Sequence, residues 1–162
     1  MQSHVQILIH VVTAVIDLPP QTKDALTSDE FGWTANLSLT STLAPPDIVA
    51  RIFNSPSITL FVPTNQALVD ALARQRISLP MNGTALNNLV LGHVISGSVV
   101  FTGHGQSNYT SVVGETITIS PGSQLGFAVY CKGKFSANII HPDIITQNGV
   151  MHLIDAVLPA AH

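Results

Sequence analysis

Thr59-Leu60-Phe61-Val62-Pro63-Thr64-Asn65-Gln66-Ala67-Leu68 and Asn148-Gly149-Val150-Met151-His152-Leu153-Ile154-Asp155-Ala156-Val157-Leu158-Pro159 decide the fold. In the first, Ile58 to Val62 forms a continuous apolar run of the kind found in strands buried on both faces. Pro63 ends the run, and the Thr64 hydroxyl is placed to cap a helix over Asn65 to Arg76. Leu68, Ala71 and Leu72 form the inward stripe of that helix, and Asp70 and Arg74 pair one turn apart on its surface. In the second stretch, Asn148-Gly149 signals a turn into a last strand from Val150 to Leu158. The two segments are expected to lie against each other in one core.

Working outward, a second helix is expected from Thr84 to His93, with Leu86, Leu89, Val90 and His93 on one side. Strands follow over Val94–Phe101, Glu115–Ser120, Gly126–Cys131 and Phe135–Ile140, with Lys132-Gly133-Lys134 as a hairpin turn. Before Ile58, Pro19-Pro20-Gln21-Thr22 reads as a linker, and Trp33, Leu37, Leu43, Ile52 and Phe53 hint at helical faces. Helices crowd the first half and strands the second, so the class is α+β with a largely antiparallel sheet system.

The 162 residues suit one domain with a substantial core. Charged residues make up only 9%, net charge is −3 and the six Lys and Arg are scattered, which argues against a nucleic-acid groove or a polybasic membrane patch. Ser, Thr, Asn and Gln supply 28% of the chain, so its surface is polar but mostly uncharged. Mean hydropathy of +0.38 is too high for a disordered chain, and no apolar run reaches the roughly 18 residues of a membrane span. One cysteine, Cys131, excludes an internal disulfide framework.

Three sequons, at Asn36, Asn82 and Asn108, point to a secreted glycoprotein whose sugar supplies the solubility that charge does not. Val5 to Ile16 is apolar, but it has no basic flank and no small-residue cleavage site. It aligns better with the other end of the chain. Ile9-His10-Val11-Val12-Thr13-Ala14-Val15-Ile16 matches Met151-His152-Leu153-Ile154-Asp155-Ala156-Val157-Leu158 without gaps. Residues 1–19 are therefore expected to be the closing strand of a preceding repeat plus a linker, and 20–162 the domain itself.

No phosphate-binding, nucleophile-elbow or zinc-protease motif occurs. His141, Asp143 and His152 are the nearest approach to a metal-ligating or catalytic set, but the spacing matches no established ligand pattern, so neither a cofactor nor a metal is expected. His93 is expected to be a satisfied core histidine and Cys131 an inert buried thiol, while His152, opposite Met151 and Leu153 on its strand, is expected to be exposed or bonded at an edge.

Taken together, the two quoted blocks and Leu89-Val90-Leu91-Gly92-His93-Val94-Ile95 between them resemble the fasciclin-type adhesion domain, or FAS1 module, over residues 22–159. Gly92 stands where that family usually has Tyr. The signature positions are Thr59, Phe61, Pro63, Thr64, Asn65, His93, Asn148, Gly149, His152 and Asp155. The resemblance implies a wedge-shaped β-sandwich of two packed sheets with several helices alongside. It also implies a non-enzymatic extracellular module, one of several tandem repeats, that contacts a cell-surface or matrix protein or a polysaccharide and a neighbouring repeat. In animal relatives an Asp–Ile pair before the last block takes part in integrin recognition; the matching pair here is Asp143-Ile144, the candidate partner-binding residues. His141 stands where those relatives carry an acidic residue, so integrin binding itself is not carried over, and Asp143 capping the loop into the final strand while Ile144 fills the core is the competing reading. A secreted carrier holding a small apolar ligand between helices and sheet is the alternative function.

Overall fold

The computed structural model describes residues 18–27, 50, 52, 54–74, 77, 83–122 and 126–159. In chain order these form α1 (Thr22–Thr27), β1 (Ile58–Pro63), α2 (Asn65–Ala73), α3 (Gly83–Gly92), β2 (Val94–Ser96), a 3-10 turn (Thr102–His104), β3 (Ser107–Thr110), β4 (Thr116–Pro121), β5 (Phe127–Cys131), β6 (Lys134–Thr146) and β7 (Gly149–Ile154). The strands make one mixed sheet in the order β2-β1-β7-β6-β5-β4-β3. Every pairing is antiparallel except that of β1 with β7, one strand in from the β2 edge. These two run parallel over their full length, from Ile58 opposite Gly149 to Pro63 opposite Ile154. The two deciding stretches are therefore side by side.

Parallel neighbours in a sheet are usually covered on both faces, and their sequences lose polar alternation for that reason. Ile58, Leu60 and Val62 of β1 join Met151 and Leu153 of β7 in a cluster with Ala25, Leu26, Ile52 and Val94, backed by Val90, Leu91 and Ile144. Helical residues thus cover that face. Phe61 and Ile154 enter a second cluster with Ile95 of β2, Ile117 and Ile119 of β4, Val129 of β5 and Ala137 and Ile139 of β6. Residues from opposite ends of the strand order meet there, so the sheet curls over onto itself. The Val112 N–H donates to the Val94 carbonyl at 2.8 Å and joins the segment after β3 to β2. The wedge-shaped sandwich of this α+β fold is one continuous, nearly closed sheet.

The fold turns on β6, whose pairing with β7 slips between Ile139 and His141 and again between His141 and Ile144. Pro142 has no N–H to give a ladder, and Asp143 has φ +59°, a left-handed conformation that Asp tolerates better than most residues. Such bulges bend a strand and sharpen its twist. The β5–β6 hairpin is the turn expected from the sequence. Lys132 and Gly133 have φ +51° and +74°, the two positive angles of a twist-matched two-residue turn.

Several boundaries differ from the sequence reading. The strand expected over Val94–Phe101 stops at Ser96, because Gly97 turns the chain at φ +79°. β3 (Ser107–Thr110) has only Tyr109 as an apolar residue and gives no alternating signal. The stretch at Thr22 is helical rather than linker, and Pro20 accepts a 3.0 Å bond from the Gln147 N–H. Trp33, Leu37 and Leu43, and the amino-terminal stretch matched to β7, lie outside the described residues.

Thr64 caps α2 as expected. Its extended backbone (φ −66°, ψ 164°) holds the hydroxyl 3.0 Å from the Ala67 N–H, and its own N–H donates to the Ile154 carbonyl at 3.0 Å. Thr64→Ala is expected to lower unfolding free energy by about 1 kcal/mol, read as a shifted urea midpoint with unchanged slope, whereas Thr64→Ser retains most of it.

Candidate functional site

Asn148 and Gly149 occupy the junction of three segments. The Asn148 carboxamide nitrogen donates to the Ser55 carbonyl at 3.0 Å and reaches the Ile52 carbonyl at 3.5 Å. Its oxygen accepts from the Thr22 hydroxyl, and its backbone carbonyl accepts from the Ile58 N–H at 3.0 Å. The turn itself falls on Gln147–Asn148, and Gly149 is already the first residue of β7. This corrects the physical reading of the Asn-Gly pair. Gly149 has no positive φ; a Cβ built there would lie 1.9 Å from the Ile58 carbonyl oxygen.

His152 is also corrected. It does face away from Met151 and Leu153, but that side is the inner core, and the residue is 0% exposed. Its Nε2 lies 2.8 Å from the Val100 carbonyl, and its Nδ1 accepts from the Asp143 N–H at 3.1 Å. A neutral ring donating through Nε2 satisfies both. The ring packs against Phe61 with centroids 5.5 Å apart. Burial lowers its pKa, opposed by the Val100 carbonyl and by the Asp143 carboxylate 3.7 Å from Nδ1.

Thr59, fully buried beside these rings on β1, donates to the Ser98 carbonyl and accepts from the Val100 N–H, each at 2.9 Å. Thr59 and His152 thereby satisfy backbone groups of the irregular segment after β2, which pairs with no strand among the described residues. Asp143 continues the series: its two oxygens accept from the Thr102 N–H at 2.9 Å and the Thr102 hydroxyl at 2.7 Å, holding the start of the 3-10 turn. Ile144 packs partly buried against the helix-facing cluster. The candidate partner pair is thus engaged inside the domain, while His141 and Pro142 beside it, and Ile140 (44%) and Ile145 (55%), are exposed.

His93 is the core histidine expected. Nδ1 lies 2.7 Å from the Leu89 carbonyl, and Nε2 accepts from the Leu158 N–H at 2.9 Å, tying the exit of β7 to the end of α3. Burial lowers its pKa to about 4 despite the Leu89 bond. Asp155 fixes the other side of that exit through two 2.7 Å bonds from Asn138. Asn65 is the first residue of α2, and Pro63 closes β1. Among the described residues no three His, Cys, Asp or Glu groups converge as a metal ion requires; Asp143 and His152 meet, and His141 is exposed.

Cys131 is buried, and burial raises its thiol pKa, with Ser136 opposing. It lines an open cleft of about 510 Å³ with Ile77, Gly92, Phe135, Val157 and Pro159, beside the 2.8 Å Lys132–Glu115 ion pair. The cleft lies between the end of α3 at Gly92 and the β5–β6 hairpin, whereas the helix-covered face of β1 and β7 is filled by Leu26, Leu60, Val62 and Leu153. Of the three sequons only Asn108 is described, exposed on β3; Asn36 and Asn82 lie outside the described residues. No described helix is long and apolar enough to cross a membrane.

A family model for the fasciclin domain matches residues 31–160. The chain is similar to the fasciclin-like arabinogalactan protein CTB11 of Cercospora beticola, 29% identical over 154 residues that cover 93% of this chain and 37% of that protein. It is similar to periostin of Homo sapiens, 30% identical over 123 residues that cover 73% of this chain and 14% of that protein. This chain therefore spans well under half of either relative. Among solved structures it is similar to a FAS1 domain pair from the insect cell adhesion molecule Fasciclin I, with a TM-score of 0.61 and 16% identity over 80% of this chain and 47% of that one.

Proposed function

The chain belongs to the fasciclin domain family, and from that premise we propose that it is a non-enzymatic extracellular adhesion module, one repeat of a tandem glycoprotein. Its partner is a cell-surface or matrix protein or a wall polysaccharide. The observation that carries this reading is the full-length parallel pairing of the two signature strands inside a region the family model covers from 31 to 160. The cell adhesion molecule that shares the fold supports it, as does the fasciclin-like arabinogalactan relative. Residues 1–19 are assigned to the closing strand of an upstream repeat plus a linker, and 20–162 to the domain, whose core includes Ala25 and Leu26 of α1.

The contact surface lies on the bulged part of β6. Asp143 and Ile144 set its backbone shape, and Ile140, His141, Pro142 and Ile145 present an uncharged, partly apolar face to a partner. Apolar groups scattered on a surface are ordinary. What favours this group is that a strained bend holds its members together. The carrier reading is less favoured, because side chains occupy the helix–sheet interface where its ligand would sit.

The test is an attachment assay on surfaces coated with the full chain, using cells and beads of wall polysaccharide, with Ile140→Asp and Ile145→Asp beside the parent. Both substitutions are at exposed positions and should leave the unfolding midpoint within the small range of surface changes. Retention by the parent that falls several-fold in the variants supports the proposal. Retention equal to uncoated surfaces overturns it.

A further inference from the structure

The geometry points to Asn108 as an N-glycan acceptor whose sugar closes the open edge of β3 against strand addition by a second copy of the chain, an inference that rests on the extracellular reading above. β3 ends the strand order, and among the described residues β4 is its only ladder partner. The two ends of the sheet meet just beyond β3, where the Val112 N–H donates to the Val94 carbonyl of β2, so the unpaired length of the edge is β3 itself, Ser107–Thr110. An unpaired strand edge is a template for pairing between chains, and proteins usually blunt it with charge, proline or a covering element.

β3 has neither charge nor proline. From Ile77 to Gly114 the chain carries no Lys, Arg, Asp or Glu across 38 residues, and Val112 just beyond β3 is 40% exposed. Something other than charge must guard this edge. Two of the three sequons, Asn82 and Asn108, fall inside the uncharged stretch.

The strand presents the sequon correctly. Residues two apart share a face, so Asn108 and Thr110 are both exposed while Tyr109 turns inward against the core cluster. The Thr118 hydroxyl donates to the Asn108 carboxamide oxygen at 2.6 Å, which orients the amide nitrogen away from β4. That nitrogen takes the sugar from a lipid-pyrophosphate-linked oligosaccharide. The bond from the anomeric carbon to the pyrophosphate oxygen breaks, a bond from that carbon to Nδ2 forms, and Nδ2 gives up one proton. The bulky, hydrated product then stands beside the strand edge.

The experiment secretes the full chain from eukaryotic cells behind a cleavable leader and compares it with Asn108→Gln, Thr110→Ala, Thr110→Ser and Asn108→Lys. Peptide mass spectrometry reads occupancy, and light scattering after size exclusion reads mass across concentrations. Asn108 is expected to be occupied in the parent and in Thr110→Ser, and both should stay monomeric. Asn108→Gln and Thr110→Ala lose the glycan and should self-associate as concentration rises. Thr110→Ala does so with the Thr118 bond intact, and Asn108→Lys, unglycosylated but charged at the edge, should return to monomer. An unmodified Asn108 in the secreted parent overturns the proposal, as do unglycosylated variants that stay monomeric or an Asn108→Lys variant that associates like Asn108→Gln. The supplied leader makes this outcome independent of the attachment assay, so the two readings fail separately.

Discussion

Gly149→Ala is expected to destabilise the domain by about 4 kcal/mol or more, a large share of the roughly 5–15 kcal/mol available to a domain. An added Cβ would sit 1.9 Å from the Ile58 oxygen, 2.8 Å from its carbonyl carbon and 2.9 Å from its nitrogen. These are backbone atoms of a buried strand held between β2 and β7, so no rotamer change relieves the clash. Relief requires β1 and β7 to separate at Ile58–Gly149, where their parallel ladder begins. The Ile58 N–H then moves off the Asn148 carbonyl, and the Asn148 bonds to the segment at 52–55 shift with it. Urea titration of the two proteins reads the effect directly.

Gly83→Ala supplies the contrast within the same chain. Gly83 opens α3, an added Cβ meets nothing within 4 Å there, and the sequon at Asn82 is preserved. Its expected effect is neutral to about 0.5 kcal/mol stabilising, through reduced freedom of the unfolded chain. A Gly149→Ala protein with the parent's midpoint would mean that the two signature strands do not approach as closely as the ladder requires.

The contrast also explains what the sequence made legible. Strand, proline, capping threonine and helix around Thr64 follow from local chemistry, and they are present at the positions expected. The turn before β7 was equally visible, but the reason for its glycine was not. Asn-Gly signals left-handed backbone, whereas Gly149 is selected by the approach of a strand 91 positions earlier in the chain. His152 failed for a related reason. Alternation correctly placed it opposite Met151, yet alternation does not say that the second face is buried when a sheet curls. β3 was missed because a strand whose edge and outer face meet solvent needs little apolar content. The apolar run predicts a strand through 98–100, but the backbone there is satisfied by Thr59 and His152, a solution that leaves no periodic trace. The sequence points Asp143 at the loop into the last strand, whereas its carboxylate caps a different loop, at Thr102, 41 residues away.

The second large effect is acid sensitivity beginning near neutrality, and it arises from the two buried imidazoles. His93 has a folded pKa of about 4 against 6.5 in the open chain, because burial disfavours the charged ring. Above pH 6.5 both folded and unfolded states hold it neutral, and its contribution is complete. As pH falls below 6.5 the unfolded chain takes up a proton that the folded one refuses, so stability drops by about 1.4 kcal/mol per pH unit. The loss reaches about 2 kcal/mol at pH 5 and about 3 kcal/mol near pH 4, where the folded ring protonates as well and the slope ends. His152 is lowered in the same direction and adds its own loss below pH 6.5.

Hydrogen bonding makes the refusal specific. Each ring uses one nitrogen to accept from a backbone N–H, Leu158 for His93 and Asp143 for His152. A proton placed there faces a donor instead of an acceptor. Urea midpoints taken from pH 7 to pH 5 should therefore fall steeply, before most carboxylates titrate, and His93→Gln should start less stable but lose about one proton from the slope. His152→Gln separates the second contribution, and the two slopes should add, because the rings hold different segments and share no hydrogen-bond partner. A midpoint that stays level from pH 7 to pH 5 would place both imidazoles in contact with water and break the account of how β7 is held at its middle and at its exit.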